Sequence, residues 1–245
     1  MSASLKPGER IDDLQRAGFC IIQHPAHFRF GTDSVLLADF ARPKPDDRAI
    51  DLCCGAGAVA LLMLARCPRL RVTGVELQAE VADMARRSAH LNGVSEAFEV
   101  LEGDIRAAHC ALGHGRFTLA VCNPPYYQAG GALLSEDARL RIARHAGELA
   151  PAEIAKSAAR LLRNGGRFAV VYPAPRALEM LRAMEDAGIA PKRIRTVHGI
   201  AGKPPKHILI DGIKGARAGL HWLTPLILRD GAGDVTDQWR EIYSE

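Results

Sequence analysis

Arg48-Ala49-Ile50-Asp51-Leu52-Cys53-Cys54-Gly55-Ala56-Gly57-Ala58 is the stretch that decides the fold. Residues 48–53 read as a short apolar strand, and the two glycines that follow turn it into a helix through residues 59–65. Glycine tolerates the tight turn and lets a ligand pass close over the backbone. Outward from this turn, strands and helices alternate. Arg71–Glu76 is a second strand, followed by a helix over residues 78–91 that Asn92-Gly93 stops. Further strands fall at residues 98–101, 117–122, 167–172, 193–198 and 207–211, with a possible last one at 226–229. Helices over residues 152–162, ended by Asn164-Gly165, and 177–187 separate them.

Strands divided by helices imply an α/β fold with a doubly wound, mostly parallel sheet, here of seven strands. The closing strands follow one another without a helix, so antiparallel pairing is expected at that edge. Ahead of the sheet, residues 19–23 alternate weakly, and Thr32 is placed to cap a short helix over 34–40, stopped near Pro43. The expected organisation is a short N-terminal appendage, residues 1–45, packed on one domain spanning residues 46–245.

With 245 residues, 48% of them hydrophobic, the chain can bury a full core as one domain. No apolar run reaches membrane-spanning length and the first ten residues lack an apolar signal core, so a cytoplasmic protein with no membrane partner is expected. The six cysteines contain no C-x-x-C pair, so no metal site is expected, and buried, reduced thiols are the simplest reading. Charge is uneven. Residues 139–217 carry 16 basic and 6 acidic side chains in a chain whose net charge is only +4. That imbalance is the footprint of a phosphate-binding face, or of an Arg-rich solvated surface.

The fourth strand, Phe117–Cys122, runs into Asn123-Pro124-Pro125-Tyr126. Carboxyl ends of strands are where open α/β sheets place ligand chemistry. This set can grip a planar group bearing an NH2. The Asn123 amide oxygen and the Pro124 carbonyl accept its two N–H bonds, and the Tyr126 ring stacks on its face. The prolines stiffen the loop. Tyr127 is a second wall or loop packing. The chemistry suggested is methylation of a planar amine, with no metal or covalent nucleophile.

The glycine turn alone is a weak signal, because Gly55-x-Gly57-x-x-Ala60 also satisfies the dinucleotide-binding pattern, with Glu76 near the ribose-binding position. Three features favour S-adenosylmethionine over NAD. Asp51 sets a carboxylate before the turn, suited to an ammonium and unhelpful beside a pyrophosphate. Asp104, after the third strand, can accept from an adenine amino group or cap the next helix. The Asn-Pro-Pro-Tyr end of the fourth strand has no use in hydride transfer. Glu76 would take both ribose hydroxyls, and Leu77 and Ile105 would sandwich the adenine or pack in the core.

These motifs resemble class I S-adenosylmethionine-dependent methyltransferases of the NPPY amino-methylating group, with a Rossmann-like fold. Within that group the chain is similar to the bacterial tRNA1(Val) adenine-N6 methyltransferase family, over nearly its whole length. The likeness includes residues 30–37, the Asp51 turn, Glu76, Asp104, NPPY, Arg144-His145 and residues 201–215. The resemblance implies N6-methylation of an adenosine in tRNA, with Thr32 contacting the methionine carboxylate of the cofactor. One departure is Cys53-Cys54, where relatives often carry small residues or glycine. For the RNA, Arg139, Arg141 and Arg144 after the NPPY loop and Lys203 and Lys206 near the last strands would hold phosphates. Trp222 and Trp239 are assigned to core or latch roles ahead of base stacking. The rivals are N5-glutamine methylation of a protein, guanine-N2 methylation of RNA, and a non-catalytic RNA-binding protein. The fewer than fifty residues before the first strand disfavour the protein methylase, and Tyr126 disfavours the guanine enzyme.

Overall fold

The computed structural model describes residues 5–27, 30–125 and 149–244. A hairpin of β1 (Arg10–Asp13) and β2 (Cys20–Gln23) precedes helix α1 (Thr32–Ala41). Then come β3 (Arg48–Leu52), α2 (Ala58–Arg66), β4 (Arg71–Glu76), α3 (Ala79–Leu91), β5 (Phe98–Glu102), α4 (Ala108–Leu112) and β6 (Phe117–Cys122). After residue 148 follow α5 (Pro151–Leu161), β7 (Leu162–Pro173), α6 (Ala177–Asp186), β8 (Ile189–His198) and β9 (His207–Lys214). Two-residue strands β10 (His221–Trp222) and β11 (Leu226–Ile227) and helix α7 (Asp237–Ser244) complete the order.

The sheet runs β10-β8-β9-β7-β6-β3-β4-β5, with β11 also paired to β8. Seven of these are the strands read from sequence, β11 falls on the possible last one at 226–229, and β10, which the sequence reading lacks, extends the same β8 edge. All pairings are parallel except those of β9, which runs against both β7 and β8. The antiparallel pairing expected at this end is therefore present, with β9 wedged between its neighbours one strand in from β8. Strand β3 has β4 on one side and β6 on the other, which makes its carboxyl end the switch point of the winding.

Each face of the sheet buries one apolar cluster. Leu36, Leu37, Leu61, Met63, Val81 and Met84 come from α1, α2 and α3 on one side, and Ile154, Leu161, Met180 and Met184 from α5 and α6 on the other. Both faces being covered explains why the central strands read as continuous apolar runs. Hydrogen bonds and an ion pair tie the hairpin to α3. The Ile22 amide donates to Ser88 Oγ (2.9 Å), Asn92 Oδ1 accepts from the Cys20 amide (2.8 Å), and Arg87 pairs with both Glu9 and Asp83.

Several expectations change. Thr32 is the first helical residue of α1 and Gly31 is its cap, with no capping bond from a side chain. Asn164-Gly165 does not end a helix in a loop: α5 stops at Leu161 and β7 begins at the next residue. Cys53 lies past the end of β3, in the turn. Its φ of 61° is a left-handed conformation that a side chain disfavours. Cys54, Cys67 and Cys122 are buried free thiols as expected, but Cys110 is exposed. Trp222 is 69% exposed on the short edge strand β10, so it has no core role. Trp239 is partly buried on α7 against Tyr243 (ring centroids 4.9 Å apart), in keeping with a latch.

Candidate active site

At the carboxyl end of β3, Asp51 is 1% exposed, and neither carboxylate oxygen has a hydrogen-bond partner among the described residues. Burial pushes its pKa up to about 8; the nearby Glu76 charge adds to this, and the Ala60 amide, outside hydrogen-bond geometry, offsets only part of it. A buried, unpaired carboxylate is costly unless a cationic or hydrogen-bonding group meets it. The location suits a ligand's ammonium.

The turn that follows is held from the next strand. Glu76, at the end of β4, accepts from the Gly55 amide on Oε2 and from the Gln78 amide on Oε1, each at 3.0 Å. Burial raises its pKa and these amide donors pull the other way. Oε1 also accepts from the Gln78 side-chain amide at 3.5 Å, so Oε2 keeps a lone pair for a ribose hydroxyl and Oε1 can take one in place of that longer bond. Gly57 caps α2 with φ of 95°, and a Cβ there would sit 2.7 Å from the Phe98 ring. The open backbone that the sequence implied is therefore required sterically as well.

Leu77 projects beside Glu76 and is 41% exposed, an apolar surface free to cover a ring. Ile105 is buried in the cluster under α4 and α5, with only its edge available. Asp104 differs from expectation. Both of its oxygens are taken by the Arg106 guanidinium, and the Arg106 amide donates to Oδ1 at 2.8 Å. Arg106 accordingly holds the carboxyl below its usual range. An adenine amino group would have to displace Arg106 to reach it.

Asn123 and Pro124 follow β6, next to β3 in the sheet. Pro124 is buried and Pro125 exposed. Asn123 Nδ2 donates to Ser34 Oγ of α1 at 3.3 Å, and Asn123 Oδ1 is buried with no partner among the described residues. The amide nitrogen is thus anchored and its oxygen left as an acceptor. Three oxygens without a partner among the described residues, two of Asp51 and one of Asn123, therefore sit on adjacent strand ends.

Other expected site residues spread along the same edge or fall elsewhere. Thr32 lines a cavity of about 550 Å³ with Gln15, Val235, Trp239, Arg240 and Tyr243, two residues along α1 from Ser34. Lys203 and Lys206 are exposed on the loop between β8 and β9. That loop enters β9 at His207, which pairs with Asp33 of α1 (3.4 Å) and lies beside Pro173 at the carboxyl end of β7. The two lysines therefore share the carboxyl edge of the sheet with Asn123. Tyr126, Tyr127, Arg139, Arg141 and Arg144 lie outside the described residues. Sequence reasoning missed Ser34, whose contact with Asn123 spans 89 positions and leaves no local pattern.

Methyl transfer from S-adenosylmethionine is the class of chemistry that this fold and site define. The family model described as the methyltransferase small domain matches residues 26–188. A tRNA1(Val) (adenine(37)-N6)-methyltransferase of Porphyromonas gingivalis is 30% identical over 79% of this chain and 77% of its own. That of Aeromonas hydrophila is 31% identical over 94% and 97%. The chain belongs to this methyltransferase small domain family and, within it, groups with the tRNA1(Val) (adenine(37)-N6)-methyltransferases. Among solved structures, a predicted O-methyltransferase from Agrobacterium tumefaciens superposes with a TM-score of 0.72 at 25% identity, covering 86% of this chain and 95% of that one. Membership in this family closes the NAD reading of the glycine turn.

Proposed function

We propose that the protein methylates N6 of an adenosine in tRNA, at the position for which its relatives are named, adenine 37 of tRNA1(Val). The observation that carries the reading is the buried Asn123 Oδ1 at the tip of β6, beside the Asp51 carboxylate, both without a partner among the described residues. S-adenosylmethionine, when bound, supplies an electrophilic methyl group on its sulfonium. The chain's residues fit such a ligand: Asp51 for the ammonium, Gly55 and Gly57 for close approach, Glu76 for the ribose hydroxyls, and Leu77 and Ile105 for the adenine faces. Thr32 is assigned to the methionine carboxylate, and Asp104 contributes only if Arg106 releases it.

The protein's own part is to aim the acceptor amine. An adenine N6 lone pair is delocalised into the ring and is a poor nucleophile. Accepting its two N–H bonds on Asn123 Oδ1 and the Pro124 carbonyl favours a pyramidal nitrogen, and a fixed pose removes much of the entropic barrier. No general base is needed before attack, because the methylated nitrogen becomes acidic enough to lose its proton to water. Tyr126 would stack on the base, worth roughly 1–3 kcal/mol, and the base must leave the loop stack to enter. Tyr127 is a second wall. Arg139, Arg141, Arg144, Lys203 and Lys206 hold phosphates. We take residues 1–45 as an appendage on a catalytic unit of residues 46–245. The reaction belongs in the cytoplasm, with the tRNA.

The test is Asn123→Ala on an unmodified tRNA-Val transcript. Turnover should fall by roughly 10²-fold or more, the scale for one preorganised hydrogen bond, with cofactor affinity retained. Wild-type turnover in that variant, or methylation of a protein glutamine in preference to the transcript, refutes the proposal.

A further inference from the structure

We infer that Ser34 is the positioning residue that anchors the Asn123 amide where its oxygen can meet the incoming amine. This rests on the proposed role of Asn123 as the acceptor for the amine. A serine hydroxyl can accept from a carboxamide nitrogen or donate to its oxygen, so this contact fixes where the amide lies. Of the two amide orientations only one offers an acceptor to an incoming N–H, and the amine itself selects it.

The structure supplies the anchor. Ser34 is 3% exposed, and its Oγ receives the Asn123 Nδ2–H at 3.3 Å, while Oδ1 makes no bond among the described residues. The hydroxyl is a fixed anchor because α1 is held at this point. The Ser34 amide donates to the Gly31 carbonyl at 3.1 Å, the neighbouring Asp33 pairs with His207 of β9 at 3.4 Å, and Val35, Leu36 and Leu37 are buried in the core. Ser34 touches neither reacting group in this scheme. It acts through Asn123, and it links the element before the sheet to the chemistry at the end of β6.

The experiment compares Ser34→Ala, Ser34→Thr and Ser34→Val with Asn123→Ala, using the same tRNA-Val transcript. It measures kcat, KM for both substrates, cofactor affinity by calorimetry, and Tm. Ser34→Ala should lower kcat about tenfold, the rate equivalent of one missing hydrogen bond, with both KM values and cofactor affinity unchanged. Ser34→Thr should recover most of that rate, and Ser34→Val, the same shape without the hydroxyl, should not. The Thr and Val pair decides the matter even where Ala fails to fold. Unchanged kcat in Ser34→Ala, equal loss in Thr and Val, or an effect confined to KM overturns the inference. Full activity in Asn123→Ala instead refutes the underlying role of Asn123, so the two failures are distinguishable.

Discussion

Asp51→Asn should stabilise the ligand-free protein while weakening its hold on the cofactor. Burial pushes the native carboxyl up to about 8, against 3.8 for an ordinary one, with no hydrogen-bond partner for it among the described residues. Between those two values the folded state binds more protons than the unfolded state, so stability falls as pH rises across the window. Each pH unit inside it is worth about 1.4 kcal/mol, so going from pH 5 to pH 8 removes roughly 4 kcal/mol. An asparagine has no charge to bury and does not incur this loss. For a chain of this size that is roughly 10 °C in Tm, at about 2–4 °C per kcal/mol. Thermal melts of ligand-free wild type and variant at pH 5, 6, 7 and 8 should therefore diverge, with the wild type declining more steeply. Calorimetry should add a second signature. Cofactor binding to the wild type near pH 7 should release a proton, seen as heat that depends on the buffer's ionisation enthalpy, because an ammonium beside Asp51 favours its charged form. The variant should bind more weakly and release none from this site. Parallel melting curves, with no buffer dependence in either protein, would refute the account of Asp51.

Cys53→Gly should raise stability by about 0.5–1 kcal/mol, since φ of 61° strains a side chain there, and the midpoint of urea unfolding reports it. Gly57→Ala should cost at least ~2 kcal/mol in the same assay, because its φ is 95° and the new methyl would meet the Phe98 ring at 2.7 Å. Removing Lys203 and Lys206 together should weaken RNA binding and lower the slope of log affinity against log salt by roughly 0.7 for each phosphate no longer neutralised. An unchanged slope would take those lysines off the RNA-facing surface.

Much of the sheet was legible because its strands are covered on both faces and read as apolar runs bounded by turns: β4 and β6 appear with the boundaries read from sequence. The switch point was legible for a different reason, since a carboxylate before a glycine turn marks a strand end whatever surrounds it. What failed was whatever depended on a remote partner or on weak amphipathicity. Strand β1, Arg-Ile-Asp-Asp, holds one apolar residue and is exposed for most of its length, so only pairing with β2 defines it. Helix α7 did leave a trace, because Trp239, Ile242 and Tyr243 fall at helical spacing, but the stretch is short and mostly polar. The commitment of Asp104 could have been anticipated from a guanidinium two positions on. The link from Ser34 to Asn123 could not, because it exists only once α1 has packed on the sheet over β7 and β9.

The wedged position of β9 sets the order in which this chain can be completed. Strand β8 is translated first, yet its main partner is the strand made after it, so its pairing can start only at Val197 and His207 and is complete only when Lys214 reaches Ile189. Throughout that interval β7 also presents a bare rim, which is the kind of edge to which other chains adhere. Any chain that stops short of β9 therefore carries two open strand edges at once, whatever the stability of the finished molecule.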